Sequence, residues 1–236
     1  MANERDDEGD RPAFLRLFIA VELPDDVRAA IDRVIARLRG ETPQGAAKWV
    51  RSEGVHLTLK FLGPVPAGVV DTVSEALRAA ARGLPPFELQ PAGLGAFHGS
   101  RGGPMEYRRG RETYGHNITV VWLGLGGDVS TLGQLAARVE AEVAPLGYPT
   151  EKRPFFPHLT LARVDRGAGR AEREALYRAL EPYLSASSRS GRYREGSLPA
   201  FPAFPVRDVH LVQSVLKPSG AEYRSIFAAP LQGQTA

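Results

Sequence analysis

Two rhythms of apolar residues run along this chain. Leu15 to Glu22 is a nearly unbroken apolar run, which predicts a buried strand. It stops at Pro24-Asp25-Asp26, a proline and two acids suited to a helix start. Val27, Ile31, Val34, Ile35 and Leu38 then recur at helical spacing to about Arg39, and Gly40 to Gly45 ends the pattern. Val55 to Phe61 predicts a second strand. Val69 to Ala81 predicts a second helix, with Val70, Val73, Ala76, Leu77 and Ala80 as its stripe. Phe87 to Phe97 predicts a strand with a glycine-containing bend. His98 to His116 is rich in Gly and Arg and predicts a loop or long hairpin. Asn117 to Leu125 (strand), Val129 to Leu146 (helix), His158 to Val164 (strand) and Arg170 to Leu184 (helix) follow. Ser185 to Pro205 has no period. Val209 to Leu216 and Tyr223 to Ala229 predict a closing hairpin.

Strands and helices alternate, but several strand links are of hairpin length. That favours an α+β protein with antiparallel pairing over a doubly wound parallel sheet. No long linker interrupts residues 14–232, which are expected to form one unit of two lobes, preceded by a polar, disordered tail over 1–13. The 236 residues are 43% hydrophobic and 24% charged, enough apolar content for a sizeable core and unlike a disordered chain. No apolar run approaches the roughly 20 residues of a membrane span, and Met1 to Arg11 lacks the apolar stretch of a secretory leader. Cysteine is absent, which removes disulfides, thiolate nucleophiles and Cys-ligated zinc together. A cytoplasmic protein is the expectation. The net charge is only +3, yet Lys occurs at four positions alone (48, 60, 152 and 217), so the cations are nearly all Arg, the side chain whose planar fork suits phosphate.

The feature that carries chemistry is an internal repeat. His56-Leu57-Thr58-Leu59 recurs as His158-Leu159-Thr160-Leu161, each on an expected strand after a helix and a loop. Side chains alternate along a strand, so the leucines point to a core while His56 with Thr58, and His158 with Thr160, share the other face. Strands lying side by side or across a groove would bring two imidazoles and two hydroxyls together. One neutral imidazole can take a proton and one protonated imidazole can give one. The hydroxyls can donate to anionic oxygens, an arrangement suited to phosphodiester chemistry without a metal.

These paired motifs resemble those of the 2H phosphoesterases, and more narrowly the bacterial RNA 2′,3′-cyclic phosphodiesterases, also called 2′-5′ RNA ligases. Arg16-Leu17-Phe18-Ile19-Ala20 with Leu23-Pro24 is similar to the family's opening strand. Trp49-Val50, Lys60-Phe61-Leu62-Gly63, Gly93-Leu94-Gly95-Ala96-Phe97, Phe155-x-Pro157 before His158, Ala162-Arg163 after it, and Ser214-x-Leu216 with Gly220 and Tyr223 extend the resemblance to residues 14–229. It implies a bilobal, pseudo-twofold fold in which two antiparallel sheets line a central groove with helices outside. It implies hydrolysis of a terminal ribose 2′,3′-cyclic phosphate to the 2′-phosphate, with no metal or other cofactor, and 2′-5′ joining of RNA ends in reverse. By position His56 would be the proton donor to the leaving 3′ oxygen, His158 the proton acceptor from water, and Thr58 and Thr160 the ligands of the phosphate oxygens. The partner would be RNA carrying a 2′,3′-cyclic phosphate end, tRNA fragments among them, met by a monomer away from any membrane.

Two further cations are candidate phosphate ligands. Lys60 shares parity with His56 and Thr58, so alternation aims it at the groove. Arg163 falls on the leucine face, so only a bend would bring it there. In the 98–116 insert, Arg101, Arg108, Arg109 and Arg111 with Tyr107 and Tyr114 read either as an RNA-contacting flap or as a solvated hairpin. His98, His116 and His210 have no Thr partner and read as loop or strand histidines. Trp49 and Phe155 read as base-stacking rings or as packing. Gly93-Leu94-Gly95 lacks the third glycine of a dinucleotide fingerprint, and no phosphate loop, His-Glu-x-x-His or Gly-x-Ser-x-Gly is present. Two other functions use the same residues: an RNA- or nucleotide-binding module without turnover, and a 2H enzyme acting on another small cyclic phosphate.

Overall fold

The computed structural model describes residues 13–99, 103–104, 118–184, 198–218 and 220–233. The apolar opening run forms β1 (Phe14–Val21), and the helical stripe after Pro24 forms α1 (Asp25–Glu41). Next come β2 (Ala47–Trp49), β3 (Leu57–Pro66), α2 (Val70–Ala81) and β4 (Phe87–His98). The second half contains β5 (Gly103–Pro104), β6 (Ile118–Gly127), α3 (Val129–Val143), β7 (Leu159–Val164) and α4 (Arg170–Leu180). It closes with β8 (Phe204–Val206), β9 (Asp208–Lys217) and β10 (Gly220–Pro230). The helices begin and end for local reasons. The Asp128 carboxylate accepts from the Thr131 amide at 2.9 Å and caps α3. Pro145 and Pro182 convert the last turns after α3 and α4 to 3-10 geometry, so both helices stop short of Leu146 and Leu184.

Among the described residues, all strands pair antiparallel, in two sheets. One has the order β10-β9-β1-β3; the other has β2-β7-β6-β4-β5, with β8 beside β4. The two halves have matching plans. β1 pairs with β3 as β6 pairs with β7, and each half sends a later strand, β4 or β9, to the first strand of the other half. The Thr58 and Thr160 strands thus lie in different sheets, the across-a-groove alternative.

One face of each sheet is packed under helices. Leu17, Ile19 and Val21 join α1 residues Val27, Ile31, Val34 and Leu38 in the main core, as do Leu57, Leu59, Leu159 and Leu161. Phe18 and Ala20, on the opposite face of β1, form a separate small cluster with Val212. The bend in β4 is a bulge at Gly93, whose φ of 62° suits glycine. β2 and β8 arise where the pattern predicts no strand. Each is three residues long and formed by pairing with a distant partner, β7 or β4. Residues 1–12 of the tail, most of the 98–116 insert with all its Arg and Tyr candidates and His116, and 185–197 lie outside the described residues.

Candidate active site

His56 and Thr58 from one sheet and His158, Thr160 and Arg163 from the other line a single groove of about 480 Å³. Each histidine immediately precedes its strand and is held by aromatic rings. Phe18 lies against His56 at 4.5 Å between centroids, and Tyr223 meets it edge-on at 4.9 Å. Phe97 meets His158 edge-on at 4.9 Å, with Trp122 at 6.4 Å and Phe156 at 6.2 Å. Trp122 can lie there because Gly95 opposes it across the β4–β6 ladder. A Cβ at Gly95 would stand 2.1 Å from the indole.

Each imidazole is also tied to the chain two residues before it. The Nδ1 of His158 is 2.8 Å from the Phe156 carbonyl oxygen. A carbonyl can only accept, so Nδ1 carries the hydrogen and Nε2 is left to exchange protons. His56 makes the equivalent hydrogen bond to the Gly54 backbone. The turn beneath His56 is pinned to α1, since the Arg28 guanidinium donates to the Glu53 carbonyl at 2.9 Å and the Ser52 hydroxyl to Asp32 at 2.6 Å.

Burial pushes the His56 pKa down from 6.5 to about 4. The positive charges of Arg28, Arg163 and a protonated His158 push the same way, against the bond to Gly54. Burial also lowers His158, with Arg163 adding to it and the Phe156 carbonyl opposing. Arg163 therefore acts on both imidazoles. An anion between them would reverse this, favouring the charged forms.

Arg163 reaches the groove through a break in alternation. Val121 pairs with Ala162 but Trp122 pairs with Thr160, so Leu161 is an extra, bulged residue. Parity flips there, and Arg163 returns to the face of Thr160. The first motif has the same defect. Ile19 pairs with Lys60 and Ala20 with Thr58, leaving Leu59 bulged. Its consequence is the opposite, and it corrects the placement of Lys60. Lys60 turns to the core face at 3% exposure, and its ammonium donates to Glu140 of α3 at 2.8 Å and to the Pro149 carbonyl at 2.6 Å. Phe61, 62% exposed, takes the groove position instead. Lys60 is thus a bridge between the halves, and an aromatic stands opposite Arg163 in the repeat.

The groove also contains residues not singled out as site candidates. Arg16 lies on the Phe18 face of β1, a position alternation alone could have supplied, and Tyr223 and Leu216 come from the closing hairpin. Trp49 borders an adjoining cavity of about 570 Å³ beside Lys48, Arg51 and Arg163. Phe155 borders another of about 650 Å³ beside Phe61 and Phe156. His210 does not line the groove; its Nδ1 is 2.9 Å from the Ser225 hydroxyl. Among the described residues no three His, Asp or Glu side chains gather as metal ligands, and no helix is long and apolar enough to cross a membrane.

Similarity to known proteins follows the same residues. The family model described as LigT like Phosphoesterase matches residues 21–105 and 127–191. A Geobacillus stearothermophilus protein named RNA 2′,3′-cyclic phosphodiesterase is 35% identical over 159 residues, 67% of this chain but 45% of that longer one. An Aeropyrum pernix protein of the same name is 30% identical over 195 residues, 82% of this chain and 92% of that one. The crystal structure of E. coli LigT complexed with 3′-AMP superposes with a TM-score of 0.63 at 25% identity, covering 93% of this chain and 99% of that one. With both His-x-Thr motifs inside the matched segments and facing one groove, the chain belongs to the family of LigT-like phosphoesterases, within the 2H superfamily.

Proposed function

We propose that this chain is an RNA 2′,3′-cyclic phosphodiesterase. It opens a terminal ribose 2′,3′-cyclic phosphate to the 2′-phosphate by acid/base catalysis between two histidines. The observation that carries this is the convergence of His56, Thr58, His158 and Thr160 from two sheets on one groove. The cyclic phosphate lies between the imidazoles. His158 takes a proton from water as its oxygen bonds to phosphorus, the P–O3′ bond breaks, and His56 gives its proton to the departing 3′ oxygen. The hydroxyls of Thr58 and Thr160 donate to the non-bridging oxygens, and the Arg163 fork holds the phosphate and offsets its charge. Turnover leaves His158 protonated and His56 neutral, and exchange with solvent restores them. With an RNA 5′-hydroxyl in place of water, the same transfers in the same direction form a 2′-5′ linkage, and their reverse cleaves it back to the cyclic phosphate. We take donor and acceptor from the order of the two motifs in the family that the chain resembles. The polar chemistry is complete without a metal, and the protein acts as a cytoplasmic monomer on RNA ends, tRNA fragments included.

The test is an oligoribonucleotide ending in a 2′,3′-cyclic phosphate, incubated with enzyme in excess chelator. A 2′-phosphate product is expected, with rates reduced roughly 100- to 10,000-fold in His56→Ala and in His158→Ala. Near wild-type rates in either variant would refute the assignment. Binding without product over hours would favour a binding module. Faster turnover of ADP-ribose 1″,2″-cyclic phosphate or a small cyclic nucleotide would move the substrate away from RNA.

A further inference from the structure

The groove holds a second guanidinium that the reaction does not use. Arg16 lies on β1 in the sheet opposite Arg163 and is exposed, and its guanidinium has no hydrogen-bond or ion-pair partner among the described residues. Its place is set by strand geometry. Arg16, Phe18 and Ala20 share the groove face, and Ala20 pairs with Thr58. Four residues at about 3.3 Å each put the Arg16 backbone ~13 Å along the strand from the Thr58 level, too far for one small phosphate to engage both. Phe18 and Phe61 lie between, their rings 6.0 Å apart, Phe61 open to the groove. The sheet thus presents a phosphate-sized polar site, an aromatic stretch and then a free cation.

A nucleotide ending in a 2′,3′-cyclic phosphate has this order of groups. The reacting phosphate is followed by a nucleoside, and the next anion is the phosphodiester on that nucleoside's 5′ oxygen. We infer that Arg16 binds this 5′ phosphodiester and makes the site prefer an RNA end to a mononucleoside cyclic phosphate. The inference rests on the phosphodiesterase reading above and adds to it a specificity residue and a minimum substrate length. Arg suits the position because its fork pairs with two phosphate oxygens, and an exposed cation between a groove and solvent steers a polyanion.

The experiment compares kcat/KM for adenosine 2′,3′-cyclic phosphate and for the dinucleotide ApA with the same cyclic end, in wild type, Arg16→Ala, Arg16→Lys and Arg163→Ala. Wild type is expected to prefer the dinucleotide. Arg16→Ala should cut that preference about 10- to 100-fold, as for loss of one charged hydrogen-bonded contact, and Arg16→Lys should restore part of it. Arg163→Ala should slow both substrates and leave their ratio near wild type. In Arg16→Ala, kcat/KM for the dinucleotide should fall less steeply with added salt than in wild type, because one screened charge pair is gone. An unchanged preference and salt slope in Arg16→Ala, or an equal loss on both substrates, would overturn the inference while leaving the phosphodiesterase intact. Wild type turning over neither substrate would instead overturn the reading on which it rests.

Discussion

Titrating the enzyme from about pH 9 to about pH 4 tests the assignment of His56 directly, because kcat/KM reports the groups of the free enzyme. His56 must carry a proton to act as the acid, yet burial holds its pKa at about 4 in the protein alone. At pH 7 that leaves roughly 0.1% of it protonated, three units above its pKa. His158, the proposed base, is lowered too, so the two apparent values belong to the coupled pair and bracket an acidic optimum below the ordinary histidine range. Above it, kcat/KM should fall roughly tenfold per pH unit. A bound phosphate anion stabilises both imidazoliums, so the optimum of kcat should lie at higher pH than that of kcat/KM. The same shift makes a stability prediction. The unfolded His56 takes up a proton near 6.5, whereas the folded one resists until about 4. Stability contributed by neutral His56 is therefore present above 6.5 and lost as pH falls through this window, by at most about 3 kcal/mol. His158 adds to the loss with the same sign. Urea melts of wild type and His56→Gln across this range isolate the contribution, and the variant should lose less stability on acidification. A kcat/KM plateau extending beyond pH 8, together with equal acid sensitivity of the two proteins, would refute the reasoning.

Lys60→Met removes the cation between Glu140 and the Pro149 carbonyl, leaving a mostly buried carboxylate that keeps the Glu151 amide as a donor but loses its counter-charge. About 3 kcal/mol should be lost in urea denaturation, several times the roughly 0–1 kcal/mol of an exposed pair. Gly95→Ala drives a methyl to within 2.1 Å of Trp122; the expected loss is 1–3 kcal/mol (about the usual cost of overpacking) with a lower kcat because the ring beside His158 must move. Thr160→Val keeps the shape but removes the hydroxyl donor, and should cost roughly 100-fold in kcat with little change in thermal midpoint.

That His56, Thr58, His158 and Thr160 could share one groove was legible because the signal is local. A histidine and a threonine two residues apart share a strand face whatever the strand pairs with, and their repetition marks two strands for one task. The four α-helices among the described residues were legible for a similar reason, since each carries an apolar stripe that needs only its own residues to be seen. What lay beyond the first two turns of alternation was decided elsewhere. The bulges at Leu59 and Leu161 exist because β1 and β6 set the register of β3 and β7, and a one-residue slip carries every later side chain to the opposite face. Hence Lys60, aimed at the groove by parity, became a buried tie to Glu140, and Arg163, aimed at the core, became a groove cation. β2 and β8 were illegible because three residues carry no period and take their conformation from partners more than a hundred residues away. Residue types and short spacings thus determined which groups could do the chemistry. Only pairing between distant strands decided which of the neighbouring charges would reach them, because the face a strand residue occupies is a property of the ladder and not of the strand alone.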